Sequence, residues 1–200
     1  IWPEGEYGGL AAVATLINQV RAENPNTIFL HAGDINTGVP ESDLQDAAPD
    51  IVALNLMKLE AMAIGNHEFD NDASVLAKQM EIANFPFLSA NIYKDGEPAF
   101  QEYVIKEVAG IKVAIVGFTA QETEILEYLY AKDYEWKDVI EVAKEIIPEL
   151  EAQADVIIAL THMGSNPVLV GPNSWELAKA VDGIDVIVDG HSHTFYERPE

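Results

Sequence analysis

The stretch Gly65-Asn66-His67-Glu68-Phe69-Asp70 places an amide, an imidazole and two carboxylates directly after the apolar run Ala61-Met62-Ala63-Ile64. Apolar residues followed by Gly and then by polar side chains are typical of a buried strand that ends in a catalytic loop. We therefore predict a strand over residues 61–64 and a functional loop after it.

Three other apolar runs end in the same way. Residues 28–30 lead to Gly33-Asp34, residues 156–160 lead to His162, and residues 186–188 lead to Gly190-His191-Ser192-His193. In sheets built from alternating strands and helices, ligands gather at the carboxyl ends of the strands. We predict that these four strand ends form one site of metal-assisted hydrolysis.

Hydrophobic periodicity and turn residues predict the remaining elements. We expect helices over 10–21, 50–59, 136–152 and 173–181, and another that begins after a cap at Asp72. Pro148 lies inside the helix over 136–152. We expect further strands over 27–31 and 87–90, and an antiparallel pair over 103–107 and 112–118. Residues 1–9 and 33–42 read as loops, and no element is predicted for 121–135. This alternation indicates one α/β domain over residues 1–200 with a parallel or mixed sheet.

The composition limits the chemistry. Eleven basic residues against 34 acidic ones give a net charge of −23, and there is no cysteine. A basic surface is needed to neutralise nucleic-acid phosphates, so nucleic-acid binding is not expected. No apolar run reaches the roughly 18 residues that a membrane span needs. An anionic substrate would require bound dications to reverse the local field.

The available metal ligands are therefore His, Asp, Glu and Asn. Four of the five histidines follow apolar strands, namely His67, His162, His191 and His193. Imidazole nitrogen and carboxylate oxygen suit borderline dications such as Zn²⁺ or Mn²⁺. Two such ions roughly 3.5–4 Å apart can clamp a phosphoryl group and convert a water into hydroxide. Asp34 has two oxygens and is the candidate bridge, Asn66 adds a neutral oxygen, and His31, inside its strand, is assigned a structural role.

His191 and His193 are two residues apart. We expect this segment to be extended, so that the two side chains point to opposite sides and could bind different metal ions.

The order of these motifs, Gly33-Asp34, Gly65-Asn66-His67-Glu68, Thr161-His162 and Gly190-His191-Ser192-His193, resembles the calcineurin-like metallophosphoesterases. Gly-Asn-His-Glu-Phe-Asp is similar to the 5′-nucleotidase form of the signature. Residues 33–43 and 87–93 resemble the periplasmic UDP-sugar hydrolase/5′-nucleotidases of Gram-negative bacteria. The resemblance runs through nearly all 200 residues. It implies an α-β-β-α sandwich with mixed sheets, and a periplasmic or secreted hydrolase of nucleoside 5′-phosphates and of UDP-sugars.

The resemblance also implies roles for the site residues. Asp34 bridges two divalent ions, Asn66, His162 and His191 complete the second metal site, and His193 belongs to the first metal site. Zn²⁺ or Mn²⁺ is favoured, with Mg²⁺, Co²⁺ and Ca²⁺ left open. A metal-bound hydroxide is expected to attack phosphorus.

The resemblance further implies that Asn66 and His67 contact substrate and that His67, with Asp70 as its partner, lies near the leaving-group oxygen. Two dications disfavour an imidazolium there, and a hydrogen-bonded Asp offsets this penalty. The alternative for Asp70 is a helix cap or a loop brace. Glu68 is expected to brace the loop.

Two departures from the family pattern matter. No Asp-x-His motif precedes Gly33, so the first metal site keeps only Asp34 and His193, and we expect metal to favour the second site. The chain begins at Ile1 without Met and reads as a fragment or a processed chain, without the C-terminal substrate-binding domain expected in the full-length protein. Alone, it is expected to be weakly active or inactive. The alternatives are a cyclic phosphodiesterase, a nuclease (disfavoured by the acidic surface), or a non-catalytic binding module of the same fold.

Overall fold

The computed structural model describes residues 8–199. In this part of the chain the helices are α1 Leu10–Glu23, α2 Pro40–Asp43, α3 Ala48–Leu56, α4 Ala73–Ile82, α5 Thr123–Leu126, α6 Tyr128–Ala131, α7 Val139–Glu151 and α8 Ser174–Ala180, with a 3-10 turn at His67–Phe69. The strands are β1 Leu30–His31, β2 Ala61–Ala63, β3 Phe87–Leu88, β4 Ile92–Lys94, β5 Glu97–Pro98, β6 Tyr103–Val108, β7 Ile111–Thr119, β8 Glu135–Trp136, β9 Val156–His162 and β10 Val186–Val188. Most of the loop predicted over residues 1–9 lies outside the described residues.

The strands form two main sheets and one small sheet. The first sheet has the order β1-β2-β3 and is parallel throughout. The second sheet has the order β10-β9-β7-β6, in which β10, β9 and β7 are parallel and β6 is antiparallel to β7. The predicted hairpin is thus confirmed. Its turn residues Ala109 and Gly110 both have positive φ, which matches the right-handed twist of the paired strands. Strands β5, β4 and β8 form the small sheet.

The two main sheets pack face to face between two layers of helices. Along β2, Ala61 and Ala63 face the second sheet, whereas Met62 faces the opposite core, beneath α1, α3 and α4. This alternation is the period of two expected of a strand. A separate core joins the outer face of the second sheet to α7 and α8. The order helix, sheet, sheet, helix confirms the predicted α-β-β-α sandwich with mixed sheets.

The sheets approach closely because small residues lie between them. A Cβ atom on Gly117 of β7 would lie 2.3 Å from the carbonyl oxygen of Leu88 on β3. No other residue type fits without displacing the backbone of the first sheet. This contact brings the ends of the two sheets to one edge.

Helix capping explains where several helices begin. Asp72 accepts a hydrogen bond from the amide of Ser74, as predicted for the start of α4. Asn173 and Glu176 form a reciprocal capping box on α8. The helix predicted from residue 136 instead begins at Val139, because Asp138 is its cap. Trp136 belongs to β8 and pairs with Ile92. Among residues 8–199, no helix has both the length and the apolarity required to cross a membrane.

Candidate metal and catalytic site

The loops after β1, β2, β9 and β10 meet at one edge of the sandwich, as the strand-end pattern predicted. Close packing at two glycines allows this. A Cβ on Gly65 would lie 2.2 Å from Asp34 Oδ1, and a Cβ on Gly33 would lie 2.8 Å from His162 Nδ1. Gly33 also has a φ of +94°, a conformation that side chains rarely adopt. Larger residues at either position would push the site apart.

The first contact pair in the site joins the two main sheets. His162 Nε2 lies 2.9 Å from Asp34 Oδ2, and the His162 side chain is 2% exposed. His162 Nδ1 lies 2.5 Å from the carbonyl oxygen of Ala32. A carbonyl only accepts hydrogen bonds, so Nδ1 carries a proton. Nε2 faces a second acceptor, Asp34, and therefore either carries a proton as well or leaves its lone pair to a cation.

The geometry of this pair fits a cation. The buried Nε2 atom of His162 has no partner that meets hydrogen-bond geometry. Ligand atoms about 2.0–2.1 Å from a metal ion stand about 2.9–3.4 Å from each other, depending on the coordination geometry. Burial acts to lower the pKa of His162, but the contacts with Asp34, together with the Ala32 carbonyl and the charge of Glu68, raise the pKa above its ordinary value. Either a proton or a divalent cation can therefore lie between His162 Nε2 and Asp34 Oδ2, and the proton and the cation compete for this position.

The second contact pair adjoins the first. His191 Nδ1 lies 2.9 Å from Asn66 Oδ1, and the rings of His191 and His162 have centroids 5.1 Å apart. The structure thus places the four residues predicted to form the second metal site in two adjoining pairs, Asp34 with His162 and Asn66 with His191. Their role as ligands stays a prediction that this geometry supports.

The predicted His67–Asp70 contact lies next to these pairs. His67 Nδ1 is 2.9 Å from Asp70 Oδ2, and the backbone amide of His67 donates to Asp34 Oδ1 at 2.9 Å. Burial acts to lower the pKa of His67, yet its hydrogen bond to Asp70 and the charges of Asp34, Asp70 and Glu127 raise it above the ordinary value. Asp70 also accepts a hydrogen bond from the hydroxyl of Thr37. Asp70 therefore both supports the histidine and braces the loop after β1.

Glu68 braces the loops as expected. Its carboxylate accepts hydrogen bonds from the backbone amides of Asp34, Ile35 and Gly65 at 2.9, 2.8 and 2.7 Å. The side chain is buried, and burial together with the charge of Asp34 raises the pKa of Glu68 despite these three bonds. It ties the loop after β1 to the loop after β2.

His31 and His193 lie apart from the contact pairs. His31 accepts a hydrogen bond from the amide of Gly33, and burial lowers its pKa to about 4, in keeping with a structural role. His193 is exposed and borders a cavity of about 620 Å³ beside β10. The premise of an extended segment is wrong, because His191 and His193 have φ values of 74° and 51°. No hydrogen bond within residues 8–199 joins His193 to Asp34, so its place in a first metal site stays a prediction.

Sequence reasoning missed three acidic residues. Glu122 Oε1 lies 2.6 Å from His191 Nε2. Asp189 accepts hydrogen bonds from the Thr161 hydroxyl and from two amides after His162. Glu127 has a carboxylate oxygen within 4.8 Å of the ligand atoms of His67 and Asp70. Glu122 could have been found by looking for polar residues just after each apolar strand. It lies three residues after Thr119, where β7 ends beside His162.

Comparison with known proteins gives consistent matches. A family model described as calcineurin-like phosphoesterase matches residues 6–195. The chain is 46% identical to a 5′-nucleotidase of Vibrio vulnificus over 94% of its own length and 36% of that relative. It is 44% identical to Protein UshA of Escherichia coli over 94% of its length and 37% of that relative. The crystal structure of a 5′-nucleotidase precursor from Thermus thermophilus superposes with a TM-score of 0.85 at 32% identity, covering 97% of this chain and 38% of that one.

Proposed function

Since the chain belongs to the calcineurin-like phosphoesterase family, we propose that it is the catalytic domain of a metal-dependent 5′-nucleotidase. The proposed reaction is hydrolysis of nucleoside 5′-phosphates, with UDP-sugars as a second substrate class. Relatives named 5′-nucleotidase support the substrate class. The chain spans just over a third of the length of these relatives. Base recognition by a further domain and export from the cytoplasm are parts of the same proposal.

One observation carries the proposal. In each of two contact pairs, a histidine nitrogen faces an oxygen of Asp34 or Asn66 at 2.9 Å. Two imidazoles, a carboxylate and an amide form a donor set that suits Zn²⁺ or Mn²⁺. Asp34, Asn66, His162 and His191 would hold one ion, and Asp34 with His193 would contribute to a second. When bound, such ions supply Lewis-acid charge and an activated water.

The remaining residues handle the substrate. The Nδ1 atom of His67 is engaged by Asp70, so Nε2 is the nitrogen left to face a leaving-group oxygen. The carboxylate of Asp70 favours the protonated ring, which can donate its Nε2 proton to the departing oxygen. The side chain of Asn66, the preceding residue, would contact the phosphate. His67 thus supplies the proton that the leaving alkoxide needs.

The acidic surface adds a requirement. With a net charge of −23, the protein repels a phosphate ester at long range. Local positive charge at the site must overcome this repulsion. Bound dications and protonated His67 are the proposed sources of that charge.

The test is a substrate panel on the intact protein. We expect hydrolysis of AMP to be lost after dialysis against a chelator and restored by Mn²⁺ or Zn²⁺. His67→Asn should lower kcat by about 10²–10⁴-fold while the metal content stays unchanged. His162→Asn should lower the metal content. If the protein prefers 2′,3′-cyclic nucleotides, it is a cyclic phosphodiesterase and not a 5′-nucleotidase. If it binds metal but hydrolyses no substrate, it is a non-catalytic binding module.

A further inference from the structure

Glu122 is a buried acidic residue that contacts His191 and has no part in the proposed reaction. It immediately precedes α5 and is 6% exposed. One carboxylate oxygen lies 2.6 Å from His191 Nε2, and the other accepts a hydrogen bond from the amide of Leu169 at 2.5 Å. A buried carboxylate with both oxygens engaged has one defined orientation.

These contacts determine which nitrogen of His191 carries the proton. An ionised carboxylate only accepts hydrogen bonds, so Nε2 must be the protonated nitrogen. With Nε2 held by Glu122, Nδ1 is the nitrogen on the side of Asn66 Oδ1, 2.9 Å away, and it is the atom available to a cation placed between them. The carbonyl oxygen of Ala32 has the same role for His162. It accepts a hydrogen bond from Nδ1 and leaves Nε2 to face Asp34. In both histidines, the nitrogen that faces away from the site is held by an oxygen.

The backbone around His191 makes this support necessary. His191 lies beyond the end of β10 with a φ of 74°, so no strand pairing holds its side chain. Its ring is held by Glu122 on one side and Asn66 on the other. Loss of Glu122 would leave the ring held by Asn66 on one side alone, so it could rotate or change tautomer more easily.

We propose that Glu122 is a positioning residue that orients His191 to bind a divalent cation through Nδ1, and that it ties the loop over residues 165–172 to the same site through Leu169. The inference rests on the proposed function, since it assumes that His191 is a metal ligand. Outer partners of metal-binding histidines commonly alter metal affinity by about 10–100-fold.

The experiment is an Mn²⁺ titration of the metal-free intact protein by calorimetry. We expect Glu122→Ala to weaken binding of one Mn²⁺ ion by about 10–100-fold. Glu122→Gln retains an amide oxygen that can accept a hydrogen bond from His191, so its affinity for Mn²⁺ should fall less. This variant also tests the inference if Glu122→Ala does not fold. Glu124→Ala, an exposed glutamate two residues away, is the matched control and should bind as the wild type does.

A second readout separates positioning from general stabilisation. Hydrogen exchange at the Leu169 amide should be faster in both Glu122 variants than in the wild type. The melting temperature of metal-free Glu122→Gln should stay close to that of the wild type, whereas the increase caused by Mn²⁺ should shrink.

The possible failures are distinguishable. Wild-type affinity in Glu122→Ala would overturn the inference and leave the proposed function standing. Absence of Mn²⁺ binding by the wild-type protein would overturn the proposed function, and the inference with it.

Discussion

Replacing Glu68 tests how the site loops are held together. Its carboxylate accepts hydrogen bonds from three backbone amides, those of Asp34, Ile35 and Gly65. In Glu68→Ala these donors lose their acceptor inside the protein. Each unsatisfied buried donor costs about 1–3 kcal/mol, and therefore the three together cost about 3–9 kcal/mol.

The net effect is smaller than this gross figure. Burial and the charge of Asp34 raise the pKa of Glu68, which means that the ionised side chain carries a penalty that alanine removes. We therefore expect Glu68→Ala to lower the free energy of unfolding by about 3–5 kcal/mol. Total stabilities of about 5–15 kcal/mol are typical of a domain, so a large share would be lost.

Glu68→Gln separates the number of acceptors from the charge. The amide oxygen can take the position of Oε2 and keep the bonds from Asp34 and Gly65. The amide nitrogen then faces Ile35, so one donor loses its acceptor. Because the penalty of a buried charge also disappears, we expect a loss of only about 1–2 kcal/mol.

The assay is urea unfolding followed by circular dichroism at neutral pH. Glu81→Ala, an exposed glutamate on α4, is the control and should stay within about 0.5 kcal/mol of the wild type. A Glu68→Ala variant within about 1 kcal/mol of the wild type would refute the bracing role. Equal losses in the Ala and Gln variants would show that charge, and not the number of acceptors, governs the stability.

Two further predictions concern Gly65 and His31. Gly65→Ala places a Cβ 2.2 Å from Asp34 Oδ1, so metal affinity in an Mn²⁺ titration should fall, whereas Gly38→Ala, with no atom within 4 Å of its Cβ, should not change it. The folded-state pKa of His31, about 4, is below the unfolded value of 6.5, so the unfolded chain binds this proton first as pH falls. His31 should therefore cost up to about 3 kcal/mol of stability between pH 6.5 and 4, and His31→Asn should show a correspondingly weaker pH dependence in urea unfolding. If the unfolding free energy of His31→Asn depends on pH as steeply as that of the wild type, the assignment of this effect to His31 is wrong.

Local patterns predicted much of the fold because they reflect local physics. Apolar runs followed within a few residues by a polar candidate ligand marked β1, β2, β9 and β10. The Asp72 cap and the hairpin turn at Ala109-Gly110 depend on hydrogen bonds and φ values within a few residues. These features need no information from distant parts of the chain.

The segment over residues 121–135 could not be predicted because its elements are one-turn helices with little periodicity. Several of its large apolar side chains, among them Ile125, Tyr128 and Leu129, are exposed. The start of α7 was misjudged for a related reason. Trp136 is apolar enough to suit the helix, yet its ring packs edge-on against Phe69, 5.3 Å away, from a strand of the small sheet. Such long-range packing outweighs a local preference.

The sequence by itself determined which ligand types are present and that they follow the ends of buried strands, because strand periodicity and glycine turns are local properties. Only the tertiary structure decided which nitrogen of each histidine faces the site. That choice depends on acceptors far along the chain, since Ala32 is 130 residues from His162 and Glu122 is 69 residues from His191. A histidine tautomer is set by the hydrogen bond of its other nitrogen. The bond of His162 to Ala32 exists only after the two main sheets have packed together, and the bond of His191 to Glu122 only after β7 and β10 have joined the second sheet.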